Sequence, residues 1–176
     1  MPVETPRQDY RHYPLHAGST AHTRAPAEAV WQVVSAIGGN NRYYTLNGLW
    51  AMREWLDAVV GGPGRRRGRP EGRPIRAGDQ IDSWRVSIAA APELLALEFG
   101  MKAPGHGVLE FRVAPIGDCA RVTATAFWNP EGIAGQLYWA AMKPAHLVLF
   151  KRLTAEICRR AEQASHDGKR STNPIF

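Results

Sequence analysis

Cysteine, lysine and long apolar runs are all scarce in this sequence, and each scarcity removes a class of protein. Two cysteines in 176 residues, Cys119 and Cys158, cannot build a disulfide framework or a four-ligand zinc site. Both are expected as small core residues in a reducing compartment. The start Met1-Pro2-Val3-Glu4 lacks the basic-then-apolar pattern of a secretory signal. The most apolar stretch, Ile133 to Phe150, is interrupted by Gln136, Lys143, Pro144 and His146. A bilayer span needs about 20 residues almost free of charge, so this stretch reads as a buried helix. A cytoplasmic chain is expected. Nucleotide and hydrolase signatures are also missing: no Gly-x-Gly-x-x-Gly behind a strand, no Gly-x-x-x-x-Gly-Lys-Ser/Thr and no Gly-x-Ser-x-Gly. No Cys-x-x-Cys pair offers metal spacing. The expectation is therefore no metal and no cofactor.

What is present describes an ordinary globular domain. The chain is 44% hydrophobic and 22% charged, with six Trp, five Tyr and five Phe, far too aromatic for a disordered polymer. The net charge of +6 comes from 22 basic residues, 18 of them Arg, against 16 acidic ones. It is uneven. Residues 61–78 hold six Arg (65, 66, 67, 69, 73 and 76) and only Glu71, while residues 79–130 carry a small acidic excess. A general nucleic-acid face should spread further than one loop.

Residues 1–17 read as a polar N-terminal arm, and Ser19–Arg24 as a short strand. Pro26 opens a helix in which Val30, Val33, Val34 and Ile37 recur at helical spacing. Asn47 can cap a second helix, with Leu49, Met52, Trp55, Leu56 and Val59 on one stripe. Beyond the Arg-rich loop the period becomes two. Asp82, Trp84, Val86 and Ile88 share a face, succeeded by Leu95, Leu97, Phe99 and Met101, then Leu109, Phe111 and Val113. After a turn at Gly117-Asp118 come Ala120, Val122, Ala124, Ala126 and Trp128. Four such strands make an antiparallel meander with one dry face. A long helix from about Gly132 to Ala164, with a kink at Pro144, must cover that face. The expected fold is α+β: a helix-grip domain over residues 18–164, with a mobile tail at 165–176.

Side-chain parity separates candidate site residues from the rest. Ala120, Ala124 and Ala126 are small for a dry face, which leaves either close helix approach or empty space. The kink at Pro144 favours space, and aromatic walls suit an apolar ligand. The expected walls are Trp84, Val86, Leu97, Phe99, Met101, Phe111, Ala124, Trp128 and Leu137. Glu98, Glu110 and Arg112 fall on the outer face, where pairing across strands and solubility explain them. Asp82 is the one strand carboxylate placed inward, where burial beside Trp84 would raise its pKa and suit it to proton transfer. The competing reading is a structural Asp bonded to backbone amides or an Arg. His146 and Tyr138 are secondary catalytic candidates, although a lone helical His is more often a packing residue. Trp50, Trp55 and Trp139 fit the core, a subunit contact or the ligand site.

The rival reading rests on Arg67-Gly68-Arg69-Pro70, the core of an AT-hook, whose two Arg side chains enter a narrow minor groove. Four residues match by chance readily in an Arg- and Gly-rich chain. Otherwise Arg65, Arg66, Arg67 and Arg69 form a rim that pairs with Asp79 and Asp82 or attracts an anionic ligand.

One further set of residues is distinctive: Gly38-Gly39, Leu49-Trp50, Arg53, Leu56-Asp57, Gly61-Gly62-Pro63-Gly64, Arg67-Gly68-Arg69, Gly78-Asp79, Asp82, Trp84-Arg85-Val86, Met101-Lys102, Pro104-Gly105, Leu109-Glu110-Phe111, Tyr138-Trp139, Pro144 and His146. Over about residues 20–164 the chain resembles an uncharacterised bacterial family of the START-like (SRPBCC, helix-grip) superfamily. Its members occur alone or fused behind NmrA-like NAD(P)-binding Rossmann domains. Asn40-Asn41-Arg42, Tyr43-Tyr44 and Ser83 depart from the family pattern. The resemblance implies a helix-grip fold and a hydrophobic ligand, and it makes the Arg-rich segment part of the domain. The leading expectation is thus binding of a hydrophobic small molecule between sheet and helix. An enzyme of specialised metabolism, a cyclase or dehydratase using Asp82 on a polyketide-like or lipid-like substrate, is the alternative. A homodimer and an NAD(P)-dependent enzyme are the candidate protein partners.

Overall fold

The computed structural model describes residues 9–38, 70, 72–100 and 103–171. The helix expected after Asn47, residues Arg65, Arg66, Arg67 and Arg69, and Met101 lie outside the described residues. A 3-10 turn, Asp9–His12, leads into β1 (Leu15–Thr23) and α1 (Ala27–Ser35). Next come β2 (Gln80–Ile81), β3 (Trp84–Ala90), β4 (Leu94–Phe99), β5 (Gly105–Ile116), β6 (Cys119–Pro130) and α2 (Gly132–Ser171). The strands form one antiparallel sheet in the order β1-β6-β5-β4-β3-β2. This is an α+β helix-grip architecture, with α2 packed across the inner face of the sheet and against α1.

The local chemistry explains the elements. Pro26 sits at the N-cap of α1 with φ −66 and Glu28 in the first turn, and Val30 and Val34 are buried one turn apart. Gly117, at φ 57, is the first residue of the two-residue link between Ile116 and Cys119, as a tight hairpin of matching twist requires. α2 runs through Pro144, which cannot donate to the carbonyl of Ala140. Phe111, Val122 and Ala124 of the sheet and Phe150, Leu153 and Ile157 of α2 are each almost wholly buried in one cluster. Each large apolar side chain there contributes about 1.5–3 kcal/mol through burial.

Several expectations change. The segment expected as an arm holds the Asp9–His12 turn and the first residues of β1, which pairs with β6 from Leu15↔Trp128 to Thr23↔Ala120. Its alternation was hidden because the inward residues, Ala17, Ser19 and Ala21, are small. At the other end α2 continues to Ser171, beyond the expected limit at Ala164. Cys158 is buried, and burial pushes its thiol up to about 11. Cys119 is exposed, because it comes directly after the hairpin turn and pairs with the exposed Ile116. A bulge between Val86 and Ile88 shifts the register of β3 on β4. One extra residue flips the facing of the side chains after it. Ile88 accordingly packs with Tyr10, Ala96 and Val108 on the outer face, and Ala89 joins the inner core.

Glu110 does lie outward, yet it is buried. The Tyr10 hydroxyl donates to its Oε2 at 2.5 Å, Arg11 bonds the same oxygen at 2.9 Å, and Arg112 reaches Oε1 at 3.3 Å. The 3-10 turn is thereby clasped over the outer face of the sheet. Simple solubility does not describe this carboxylate.

Candidate functional site

Between the sheet and the first half of α2 lies a cavity of about 40 Å³. At ~10–15 Å³ per water this is room for about three waters. The sheet contributes Trp84 from β3, Phe99 from β4, Gly107, Val108 and Leu109 from β5, and Ala126, Phe127 and Trp128 from β6. The helix contributes Tyr138, Trp139, His146 and Phe150.

The rings touch in two arcs. Trp84 meets Phe99 edge-on with centroids 5.5 Å apart, Phe99 meets Trp128 at 6.0 Å, and Trp128 meets Tyr138 at 5.2 Å. On the helix side His146 lies 5.0 Å from Trp139 and 5.5 Å from Phe150. Positions 139, 146 and 150 fall on one face of an α-helix, which is why three rings far apart in sequence line one wall. Edge-to-face and offset ring contacts of this kind add about 0.5–1.5 kcal/mol each beyond burial.

Glycine makes the floor. A Cβ at Gly107 would come within 3.0 Å of the Trp128 ring, and one at Gly105 within 2.8 Å of it and 2.5 Å of the Asn129 carbonyl. The indole therefore lies flat over bare backbone, and its Nε1 donates to the Gly135 carbonyl in the first turn of α2.

The small residues of β6 resolve differently along the strand. Ala120 and Ala124 are fully buried in the main cluster with Leu153 and Ile157, so there the helix approaches closely. Of these small residues, Ala126 borders the cavity. Of the expected wall residues, Trp84, Phe99 and Trp128 line the cavity, as do the secondary candidates Tyr138 and His146. Val86, Leu97, Phe111 and Ala124 are solid core. Leu137 is 66% exposed on the far side of α2, since it is one residue before Tyr138 and so about 100° away. Leu109 and Ala126, read from the sequence as inward, line the cavity too, whereas Phe150, Gly107, Val108 and Phe127 were not singled out. The helical spacing from His146 to Phe150 carried the signal for Phe150.

Asp82 is not on the inner face of a strand. It occupies the two-residue link between β2 and β3 at φ 51, a left-handed conformation that Asp tolerates better than most side chains. Its carboxylate lies against Gly38 after α1, and it is not among the cavity-lining residues. Nearby, Arg73 donates two bonds to Asp79, at 2.9 and 2.6 Å, and the Arg76 amide donates a third. The Arg73 hydrogen bonds hold the Asp79 carboxyl below the usual carboxylate range. Among the described residues no cluster of three His, Cys, Asp or Glu could hold a metal ion, and no helix is long and apolar enough to cross a membrane.

The chain is similar in fold to several solved structures. NE0264 from Nitrosomonas europaea is 11% identical over 86% of this chain and 97% of that one, with a TM-score of 0.50. The Zhui aromatase/cyclase from Streptomyces sp. R1128 is 17% identical over 83% and 94%, at 0.46. A START superfamily protein from Mycobacterium smegmatis is 16% identical over 85% and 98%, at 0.45. At such identities the likeness speaks to the fold alone. No curated protein matches the sequence. A family model described as "Protein of unknown function (DUF2867)" matches residues 12–153, and the chain belongs to that family.

Proposed function

We propose that this protein binds a hydrophobic small molecule in the cavity between the sheet and α2. The single observation that carries this reading is the room left among Trp84, Phe99, Trp128, Tyr138, Trp139 and Phe150. Beyond it, Phe111, Val122, Ala124, Leu153 and Ile157 are packed to nearly zero exposure. Dense packing is the default of a protein interior, and space lined by aromatic rings favours an apolar guest. A space of about 40 Å³ restricts the enclosed part of that guest to a few heavy atoms, such as the apolar end of a longer molecule. On this reading a second copy of the chain and an NmrA-like NAD(P)-dependent enzyme acting on the carried molecule are the protein partners to test. Proton transfer by Asp82 has no comparable support, since that side chain does not border the cavity.

The test is a filled cavity. Ala126→Leu should retain the fold and abolish uptake of a small aromatic probe, read by quenching of the cavity tryptophans. Uptake equal to wild type in a folded Ala126→Leu variant would refute the site.

A further inference from the structure

We infer that the outward face of the first half of α2 is the docking surface for a second copy of this chain, packed antiparallel about Ala140 and Ala141. This names the face for one of the partners proposed above, and it stands whether or not the cavity takes a ligand. Four of the five large hydrophobic side chains most exposed among the described residues lie on this stretch: Ile133 at 76%, Leu137 at 66%, Leu147 at 54% and Val148 at 50%. Ala140, Ala141 and Pro144 between them are exposed as well. On the opposite face Trp139, Phe150 and Leu153 are buried. A helix that is apolar on both faces is at home in water only when both are covered.

The order of side chains along the stripe fits a copy of itself. Ile133, Leu137, Pro144 and Val148 follow at steps of four, seven and four residues, and so share one side of the helix. That spacing reads the same from either end. Laid antiparallel with Ala140 over Ala141, Ile133 of one copy meets Val148 of the other, and Leu137 meets Pro144. Larger side chains then meet towards the ends, and the alanines at the centre let the helix axes approach closely. A two-fold contact needs a surface complementary to itself, and this stripe has that symmetry. Charge favours the same register. Beyond Val148 the stripe continues into the exposed Lys151, and two residues before Ile133 stands Glu131, which meets His106 at 3.1 Å with its side chain still 64% exposed. Antiparallel pairing brings Lys151 of each copy to the Glu131 end of the other, whereas parallel pairing would set lysine against lysine.

One helix face of about four turns is small for a dimer, so the association should be sensitive to dilution. Sedimentation velocity of the full chain over a dilution series should show a monomer–dimer equilibrium. Leu137→Lys should weaken the dimer about a hundredfold or more, since each substitution acts twice in a two-fold contact. Cysteine cross-linking reads the register, in a Cys119→Ser background because Cys119 is exposed. Ala140→Cys should link two copies on mild oxidation. Ile133→Cys should not, because antiparallel pairing leaves the two Ile133 positions about 22 Å apart along the helix axis. Wild type that stays monomeric at every concentration would overturn the proposal and give the face to the chain's own residues 47–59. A dimer that survives Leu137→Lys would overturn it too, as would linking through Ile133→Cys equal to that through Ala140→Cys. The cross-linking pair decides the matter even if Leu137→Lys fails to fold. Uptake by the cavity is measured separately, so the ligand reading fails or stands on its own test.

Discussion

The indole N–H of Trp128, on the last strand, donates to the carbonyl of Gly135, in the first turn of the long helix, at 3.2 Å. This bond ties sheet to helix beside the aromatic cavity. Trp128→Phe keeps a ring over Gly105 and Gly107 but loses the tie. It should cost about 1–2 kcal/mol in urea unfolding, the range for a lost hydrogen bond plus a smaller ring. An unchanged midpoint would show that the bond contributes nothing.

Gly105 is harder to replace than Gly107. Its φ of 149 disfavours a side chain, and an added Cβ would press on the Asn129 carbonyl as well as on Trp128. Gly105→Ala should destabilise by roughly 2 kcal/mol or more, and Gly107→Ala by less, because only a ring edge must give way. Thermal melts of the two variants should rank them in that order.

The clasp at Glu110 predicts a stability loss at both ends of the pH scale. Burial works to raise this carboxyl, but hydrogen bonds from Tyr10 and Arg11 and the charge of Arg112 outweigh it, leaving it below 4.5. A depressed carboxyl contributes stability that is full above 4.5 and lost as pH falls through the lowered value. Tyr10 is pushed up to about 12, by burial first and then by Glu110, so its contribution is lost as pH rises from 10 towards about 12. Glu110→Gln should cost about 1–3 kcal/mol at neutral pH, because a buried partner set is broken, and it should flatten the acid limb. Tyr10→Phe should remove the alkaline limb. Denaturation curves from pH 3 to pH 11.5 check both.

Leu137→Lys should spare the fold and the cavity. The side chain is 66% exposed and lies outside the cavity, so the stability of the single chain should move by no more than about 0.5 kcal/mol. Uptake of an aromatic probe should match wild type. Lost uptake would return Leu137 to the cavity wall.

Face assignment by alternation succeeded wherever strands are regular. Leu109, Phe111 and Val113 do share the inner face, because nothing interrupts the register of β5 on β6. It failed at Ile88 and Asp82. A bulge and a two-residue link each break the period, and both are settled by what the neighbouring strand offers for pairing. Glu110 was placed on the correct face but its burial was missed, since the turn that covers it lies 100 residues earlier in the chain.

The class of fold and the apolar character of the interior were legible in the order of residues alone. Both depend on periodicity and composition, which are local and additive. Where the interior is solid and where it is hollow emerged only in three dimensions. Ala124 and Ala126 are the same residue two positions apart on the same face, yet one is sealed under the helix and the other borders a void. The difference lies in what α2 brings opposite each of them, namely the aliphatic side chains of Leu153 and Ile157 in one region and the spaced rings of Trp139, His146 and Phe150 in the other. Packing is a relation between distant segments, and no single segment encodes it.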